Sequence, residues 1–175
     1  MNIKLFVLSA LFASSTISAN NLNIRTLESN FTQSITNNQH AKVVYRGKMY
    51  ATQAKNQALW EYSAPVVKKI YYKGGKLVII EPELEQVIYA KLDKVPNVLK
   101  LIKSAKKVAD DTLQTRFNGI TYNIMIEGNK IINITYVDEM QNAVAIEFTG
   151  EKVNFPLSDT TFAYTIPADY DILEQ

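Results

Sequence analysis

Short apolar segments with a period of two residues fill most of this chain, and turn signals separate them at short intervals. Residues 43–50 alternate in this way, and Gly74-Gly75 and Asn118-Gly119 stand between later segments. Alternation of β-branched and aromatic residues is typical of half-buried strands, and Asn-Gly is a strong hairpin signal. Strands joined by hairpins pair antiparallel. The pattern therefore predicts a mostly β domain built on one antiparallel sheet that is curled or closed like a barrel.

Alternation and turn signals mark ten strands along the chain, together with two helical segments. The predicted strands cover residues 31–35, 43–50, 69–72, 77–80, 86–89, 113–117, 120–126, a segment ending at 137, 143–148 and 161–166. Residues 93–107 instead carry Val98, Leu99 and Ile102 at helical spacing, with lysines mostly elsewhere, which predicts an amphipathic helix inserted in the sheet. Residues 21–30 have a rougher helical spacing, which predicts a short first helix.

The first segment of the chain has the three-part form of a secretory signal peptide. Lys4 precedes an apolar run, and residues 14–19 are mostly small. The run is far shorter than the roughly 20 residues of a spanning helix. We therefore expect residues 1–19 to be a signal peptide cut after Ser18 or Ala19, and residues 20–175 to form one domain. The chain contains no cysteine, so the exported domain has neither a disulfide nor a lipid-accepting thiol.

Residue types that carry catalysis are scarce. His40 is the sole histidine and stands in a polar turn, so no Ser/His/Asp triad and no Cys/His metal site is expected. The formal net charge of +2 is too small to argue for nucleic acid. Glu83 and Glu85 surround a turn; a periplasmic glycan enzyme is one alternative, but solvated turn charges explain them more simply. We expect no enzyme, no metal and no cofactor.

A curled sheet with an inserted apolar helix has two interpretations. The sheet can supply a concave apolar surface and the helix a movable cover, as a carrier of apolar ligands requires. Alternatively, the helix plugs a small barrel. Periodicity does not separate the two. In the carrier interpretation, Val98, Leu99 and Ile102 fill the cavity when no lipid is present, because they share one side of the inserted helix.

Several motifs resemble the LolA family of periplasmic lipoprotein carriers. They are residues 30–34 (Asn-Phe-Thr-Gln-Ser), 47–50, 59–65 (Leu-Trp-Glu-Tyr-Ser-Ala-Pro), 73–77, 81–87 and 162–167. They follow one another in the family's order and cover most of the chain after residue 20. The tryptophan segment and the turn at residues 81–87 are the more specific of these motifs.

The resemblance implies an unclosed β-barrel with a helical lid over an apolar cavity. Residues 96–107 would form one lid helix and residues 21–30 another. Trp60 and Tyr62 would face the cavity, because residues two apart on a strand share a face. Met49 and Tyr50 alternate, so only one of them can face inwards; Tyr50 is among the expected cavity residues.

The lid fastening departs from the family pattern. Many members carry an arginine followed by proline before the tryptophan strand, and this arginine fastens the lid. Here Gln53 is the nearest positional match, and Lys55 is a second candidate for the latch.

The function that the resemblance implies is lipoprotein transport in the periplasm. Such a monomeric carrier takes acylated lipoproteins from an inner-membrane ABC transporter of the LolCDE type. It delivers them to the receptor LolB in the outer membrane. The alternative is a periplasmic sensor module that binds lipid or a partner protein on the same fold.

Overall fold

The computed structural model describes residues 22–91 and 97–174, so the predicted signal peptide and the first part of the predicted lid helix lie outside the described residues. Within these ranges the chain forms a 12-stranded sheet and the helix α1 (Val98–Ser104). The strands are β1 (Thr26–Thr36), β2 (Lys42–Thr52), β3 (Gln57–Ala64), β4 (Lys68–Lys73), β5 (Lys76–Glu81), β6 (Gln86–Lys91), β7 (Lys106–Ala109), β8 (Thr112–Phe117), β9 (Ile120–Glu127), β10 (Lys130–Val137), β11 (Ala143–Val153) and β12 (Asp171–Glu174). Two short 3₁₀ helices cover Pro82–Leu84 and Asp159–Phe162.

The sheet is a chain of hairpins with one long-range closure in its middle. Its strand order is β12-β6-β5-β4-β3-β2-β1-β11-β10-β9-β8-β7. All pairs are antiparallel except β12 with β6, which is parallel. Strands β12 and β7 form the two ends and do not pair with each other, so the sheet is not closed. In the sequence, α1 lies between β6 and β7, which are near opposite ends of the sheet.

Alternating side chains give the sheet two faces, here called inner and outer. On β3, Ala58 and Trp60 pack on the inner face together with α1, whereas Leu59 packs on the outer face. The outer face of β4 to β6 is covered by the C-terminal segment, which contributes the buried Phe162. Strands β3 to β6 are therefore apolar on both faces, as the near-continuous apolar runs in their sequences require.

The sheet curls strongly around its inner face. Trp60 on β3 and Phe148 on β11 lie three strand spacings apart, about 14 Å on a flat sheet. Their ring centroids are 6.4 Å apart. The inner side chains of both halves therefore meet across an interior space, and the prediction of an unclosed barrel is confirmed.

Three predictions about local structure are wrong. Residues 22–30 do not form a helix: β1 starts at Thr26 and pairs with both β2 and β11, and Leu27 and Phe31 lie on its inner face. The lid helix is shorter than residues 96–107, because Lys106 already belongs to β7. Residues 161–166 are not a strand; Phe162 ends a 3₁₀ helix and packs on the outer face without strand partners. Within the described residues, no helix has the length and apolar character to span a membrane.

Gly47 allows the central strands to pack closely. A Cβ atom at this position would lie 2.0 Å from the carbonyl oxygen of Glu61 and 2.8 Å from the ring of Phe31. The Phe31 ring thus lies against the bare backbone of β2. From there it contacts Trp60 and Tyr62 edge-on, with centroid distances of 4.9 and 5.0 Å.

Replacing Gly47 by alanine will destabilise the sheet, because both the Glu61 carbonyl and the Phe31 ring must move. We expect a loss of about 3 kcal/mol in the free energy of unfolding, the upper part of the usual range for overpacking. Urea denaturation measures it. The control Val43→Ala lies on the same strand at an exposed position, where a change within about 0.5 kcal/mol is expected. Equal stability of Gly47→Ala and wild type would contradict this account of Gly47.

Candidate functional site

An apolar cavity of about 370 Å³ lies between the inner face of the sheet and α1. Its apolar lining comes from both halves of the sheet and from the helix. The lining residues are Trp60, Tyr62, Ile70, Val98, Leu101, Ile120, Tyr122, Ile134, Tyr136, Met140 and Ile146, with Gln33, Asp138 and Glu139 as the polar members. Ile70 on β4 and Tyr122 on β9 are six strand spacings apart in sheet order. The cavity therefore exists only because the sheet curls.

Aromatic side chains build the wall on the β3 side. Phe31 is buried beneath Trp60 and Tyr62 and contacts both rings edge-on. On the opposite wall, the rings of Tyr122 and Tyr136 lie 4.7 Å apart. Edge-on and tilted contacts of this kind are the favoured arrangements of aromatic pairs. They hold the lining side chains in fixed positions around the space.

The phenol groups that line the cavity are uncharged. Tyr62 donates a hydrogen bond of 3.0 Å to the side-chain oxygen of Gln33. Burial raises the pKa of Tyr62 well above its usual value, and it raises the pKa of Tyr136 to about 12 with smaller contributions from Tyr122 and Asp138. Both phenols are therefore protonated at neutral pH. Their hydroxyl groups give the cavity wall polar atoms that carry no charge.

Charged groups stand at the rim of the cavity. The ammonium group of Lys68 lies over the ring of Tyr62 at 4.9 Å and over that of Tyr45 at 5.5 Å, which is cation–π geometry. On the other side, Asp138 shapes a tight turn by accepting hydrogen bonds from the backbone of Met140 and Asn142. This turn leaves Met140 82% exposed at the cavity mouth.

A second hollow lies next to the hairpin ends at the cavity mouth. It has a volume of about 970 Å³ and shares Ile120, Tyr136, Asp138 and Glu139 with the apolar cavity. Its remaining lining combines hydroxyl and amide side chains with small apolar ones from the ends of β1, β9, β10 and β11.

Asn97 fastens the start of α1 to the sheet. Its side-chain oxygen accepts from the backbone N–H of Leu99 and so caps the helix. Its amide nitrogen donates to the side chain of Asn56 and to the backbone carbonyl of Gln57, both at 3.4 Å. These two distances exceed the usual 2.7–3.2 Å of N–H···O bonds, and both partners are neutral. The fastening is therefore weak, although Asn97 itself is buried.

A hydroxyl pair holds the other end of α1. Ser104 donates to the carbonyl of Leu101 in its own helix. Its oxygen also lies 2.9 Å from the hydroxyl of Thr115 on β8. Since the Ser104 hydrogen is already used, Thr115 is the donor of this second bond. The helix is thus tied at both ends by uncharged groups.

The predicted cavity residues divide into three groups. Trp60, Tyr62 and Val98 line the cavity. Leu99 and Ile102 belong to the buried inner core beneath the helix rather than to the cavity lining. The prediction for Tyr50 is wrong, because β2 turns Met49 to the inner face and Tyr50 packs on the outer face.

The predicted latch residues lie beside the actual fastening. Lys55 forms an exposed ion pair with Asp159 at 2.5 Å, which ties the β2–β3 turn to the C-terminal segment and not to the lid. Gln53 donates its backbone N–H to the carbonyl of Arg25. In the described part of the chain, hydrogen bonds from Asn97 link the start of α1 to Asn56 and Gln57, which directly follow the predicted positions.

Sequence reasoning missed Leu101, Ile70 and Asn97. Leu101 is three residues after Val98, so helical spacing alone places it on the cavity side. Ile70 is the register partner of Trp60, which no local pattern shows. Asn97 directly precedes an apolar helical run, which is the usual position of a cap.

The fold and the site define a class of protein: an open antiparallel half-barrel that encloses an apolar space beneath one weakly fastened helix. The family model described as outer membrane lipoprotein carrier protein LolA matches residues 22–116. A relative from Campylobacter jejuni, named outer-membrane lipoprotein carrier protein, is 35% identical over 87% of this chain and 88% of its own length. A protein of the same name from Helicobacter hepaticus is 31% identical over 87% of this chain and 85% of its own length.

The solved structures agree at the level of the fold. A LolA superfamily protein from Nitrosomonas europaea superposes with a TM-score of 0.57 and 12% sequence identity, covering 83% of this chain and 94% of that one. Identity this low bears on the fold alone. The family model and the two relatives show that the chain belongs to the LolA family.

Replacing Asn97 by alanine will loosen the start of α1. The change removes the helix cap and both links to the β2–β3 turn, for which we expect about 1 kcal/mol or roughly fivefold faster local exchange. Hydrogen exchange of the amides in residues 98–104 measures it. The control Ser158→Ala removes the cap of the 3₁₀ helix on the outer face. Ser158→Ala should leave the exchange rates of the α1 amides unchanged. Equal exchange rates of α1 in both variants would refute the role of Asn97.

Proposed function

We propose that this protein carries lipoproteins through the periplasm by holding their acyl chains between the inner face and α1. The observation that carries this proposal is the apolar cavity beneath a helix whose hydrogen bonds to the sheet, through Asn97 and Ser104, join neutral groups. An alkyl chain needs apolar walls and no directional partners, which the lining around Trp60 and Leu101 provides. The names of the relatives from Campylobacter jejuni and Helicobacter hepaticus support the same cargo.

The weak fastening of the helix suits transfer rather than storage. Each buried methylene contributes about 0.8 kcal/mol, so one chain of roughly 15 methylenes gains about 12 kcal/mol when fully buried. Two such chains would pass the practical ceiling of about 18–21 kcal/mol for non-covalent binding. A carrier that must release its cargo therefore buries the chains incompletely. Separating α1 from the inner core on loading offsets part of the gain.

The proposal includes a route between two membranes. Residues 1–19 direct export, and without a cysteine in the chain the mature carrier has no lipid-accepting thiol. It takes acylated lipoproteins from an inner-membrane ABC transporter of the LolCDE type and passes them to a LolB-type receptor in the outer membrane. It acts as a monomer and catalyses no covalent step, since binding and release are sufficient for transport.

Leu101→Glu will weaken binding of acylated lipoprotein more than tenfold, because it places a carboxylate in the apolar cavity, where burial of an unpaired charge is costly. The measurement is the amount of acylated lipoprotein that co-purifies with the tagged carrier from periplasm. Lys103→Glu is the matched control: it adds the same side chain on the exposed side of the same helix. It should retain wild-type binding.

A second variant tests the cavity without a substitution in the helix, in case Leu101→Glu prevents α1 from folding. Ile120→Glu lies on β9 at a half-buried position of the cavity lining and should weaken binding in the same way. Wild-type recovery of lipoproteins by both variants would overturn the proposed site. Recovery of a different protein partner, without lipoproteins, by the wild-type carrier would favour the sensor alternative.

A further inference from the structure

A row of aliphatic side chains continues the cavity lining across the inner face to the edge of the sheet. Ile70 lines the cavity and is paired in register with Trp60 on one side and Ile79 on the other. Ile79 is paired with Ile88 on β6, and Ile88 with Leu173 on the edge strand β12. We call Ile70, Ile79, Ile88 and Leu173 the aliphatic row. Paired residues of neighbouring strands share a face, so the row is continuous.

The described residues leave the aliphatic row only partly covered. Its three isoleucines are half-buried and Leu173 is 42% exposed, whereas Ile80 and Val87 on the outer face of the same strands are buried. The helix α1 packs against β2 and β8. Strands with near-continuous apolar sequences are usually covered on both faces. On β5 and β6, the outer-face side chains Ile80 and Val87 are therefore better covered than Ile79 and Ile88 of the row.

A polar border runs along one side of the row. Glu81, Gln86 and Asp171 stand two residues away from Ile79, Ile88 and Leu173 on the same strands, and so on the same face. The side-chain amide of Gln86 donates to Glu81 at 2.6 Å, and Asp171 is the register partner of Gln86. The inner face therefore presents an apolar strip with a polar margin. This is the surface that an alkyl chain with a polar end requires.

The dimensions favour a chain that extends beyond the cavity. A volume of 370 Å³ stands near the lower end of the roughly 300–1,000 Å³ that pockets for drug-sized ligands occupy. A lipid anchor with more than one long chain is larger than such a ligand. Trp60 and Leu173, at the far end of the row, are four strand spacings apart, or about 19 Å. This is comparable to the length of one extended long acyl chain.

We propose that the aliphatic row is a second acyl-binding track, along which a chain extends from the cavity towards β12. This inference rests on the proposed function. The occupant is an acyl chain of the cargo, because the row is continuous with the cavity and contains no side-chain hydrogen-bonding group to recognise a peptide. The open side of the track gives it the incomplete burial that release requires.

The test is the dependence of affinity on acyl-chain length. Synthetic monoacyl lipopeptides with saturated chains of eight, twelve and sixteen carbons serve as probes in fluorescence titrations. The wild-type protein should bind more tightly along the whole series, by about two- to fourfold per methylene. In the double variant Ile79→Lys/Ile88→Lys, the shortest probe should bind as in the wild type. The longest should lose at least tenfold in affinity.

The control Met125→Lys places the same charge at an exposed apolar position on another strand, outside the track. It should keep the wild-type chain-length dependence. If the double variant also keeps it, the track is overturned while the cavity proposal stands. If the wild type binds none of the probes, the proposed function fails and the track with it. If the lysines instead convert a dimer to a monomer in sedimentation and leave lipopeptide binding unchanged, the row is a self-association surface and the inference is wrong.

A second measurement avoids the double lysine substitution. The chain has no native cysteine, so Ile88→Cys gives a unique attachment point for an environment-sensitive fluorophore. The longest probe should shift its emission to the blue, and the shortest should not. The same shift with both probes, or with neither at saturating concentration, would contradict an extended chain on the track.

Discussion

Strands β3 to β6 are apolar on both faces, and the rest of the structure follows from how those faces are covered. The C-terminal segment covers the outer face around Leu59, Tyr71 and Phe162. On the inner face the sheet curls, so that side chains of β1, β2 and β8 to β11 cover one another together with α1. The apolar surface around Trp60 is only partly covered. The uncovered part of this surface forms the cavity. An alkyl chain bound there covers it.

The strength of the lid follows from the chemistry of its ends. An arginine at the latch would make charge-assisted hydrogen bonds, which are roughly twice as strong as neutral ones. This chain uses Asn97, whose bonds to Asn56 and Gln57 are long and neutral, and a hydroxyl pair between Ser104 and Thr115. The four buried side chains of α1, Val98, Leu99, Leu101 and Ile102, also attach the helix by packing in the inner core. Helix opening is then governed mainly by apolar contacts, the same kind of contact that a lipid offers in exchange.

Local sequence patterns predicted the antiparallel sheet and the helix in its middle, because period-two alternation and turn residues act over a few neighbours. They failed where long-range pairing decides the outcome. Residues 21–30 have a rough helical spacing, yet β1 is a strand because it pairs with both β2 and β11. Local patterns also do not show the pairing register of the strands. They therefore did not predict that Ile70 and the aliphatic row lie beside Trp60. Tyr50 was assigned to the wrong face, because alternation limits the choice between Met49 and Tyr50 without deciding it.

The central claim is that acyl chains occupy the space against Trp60 beneath α1. Trp60 is the chain's single tryptophan, so its fluorescence reports on this position alone. The most direct measurement is quenching of that fluorescence by a lipopeptide whose acyl chain carries bromine atoms, compared with the unbrominated lipopeptide. The account predicts saturable quenching by the brominated chain, with the same concentration dependence as binding. Saturated binding without quenching would show that the acyl chain lies elsewhere and would contradict the account.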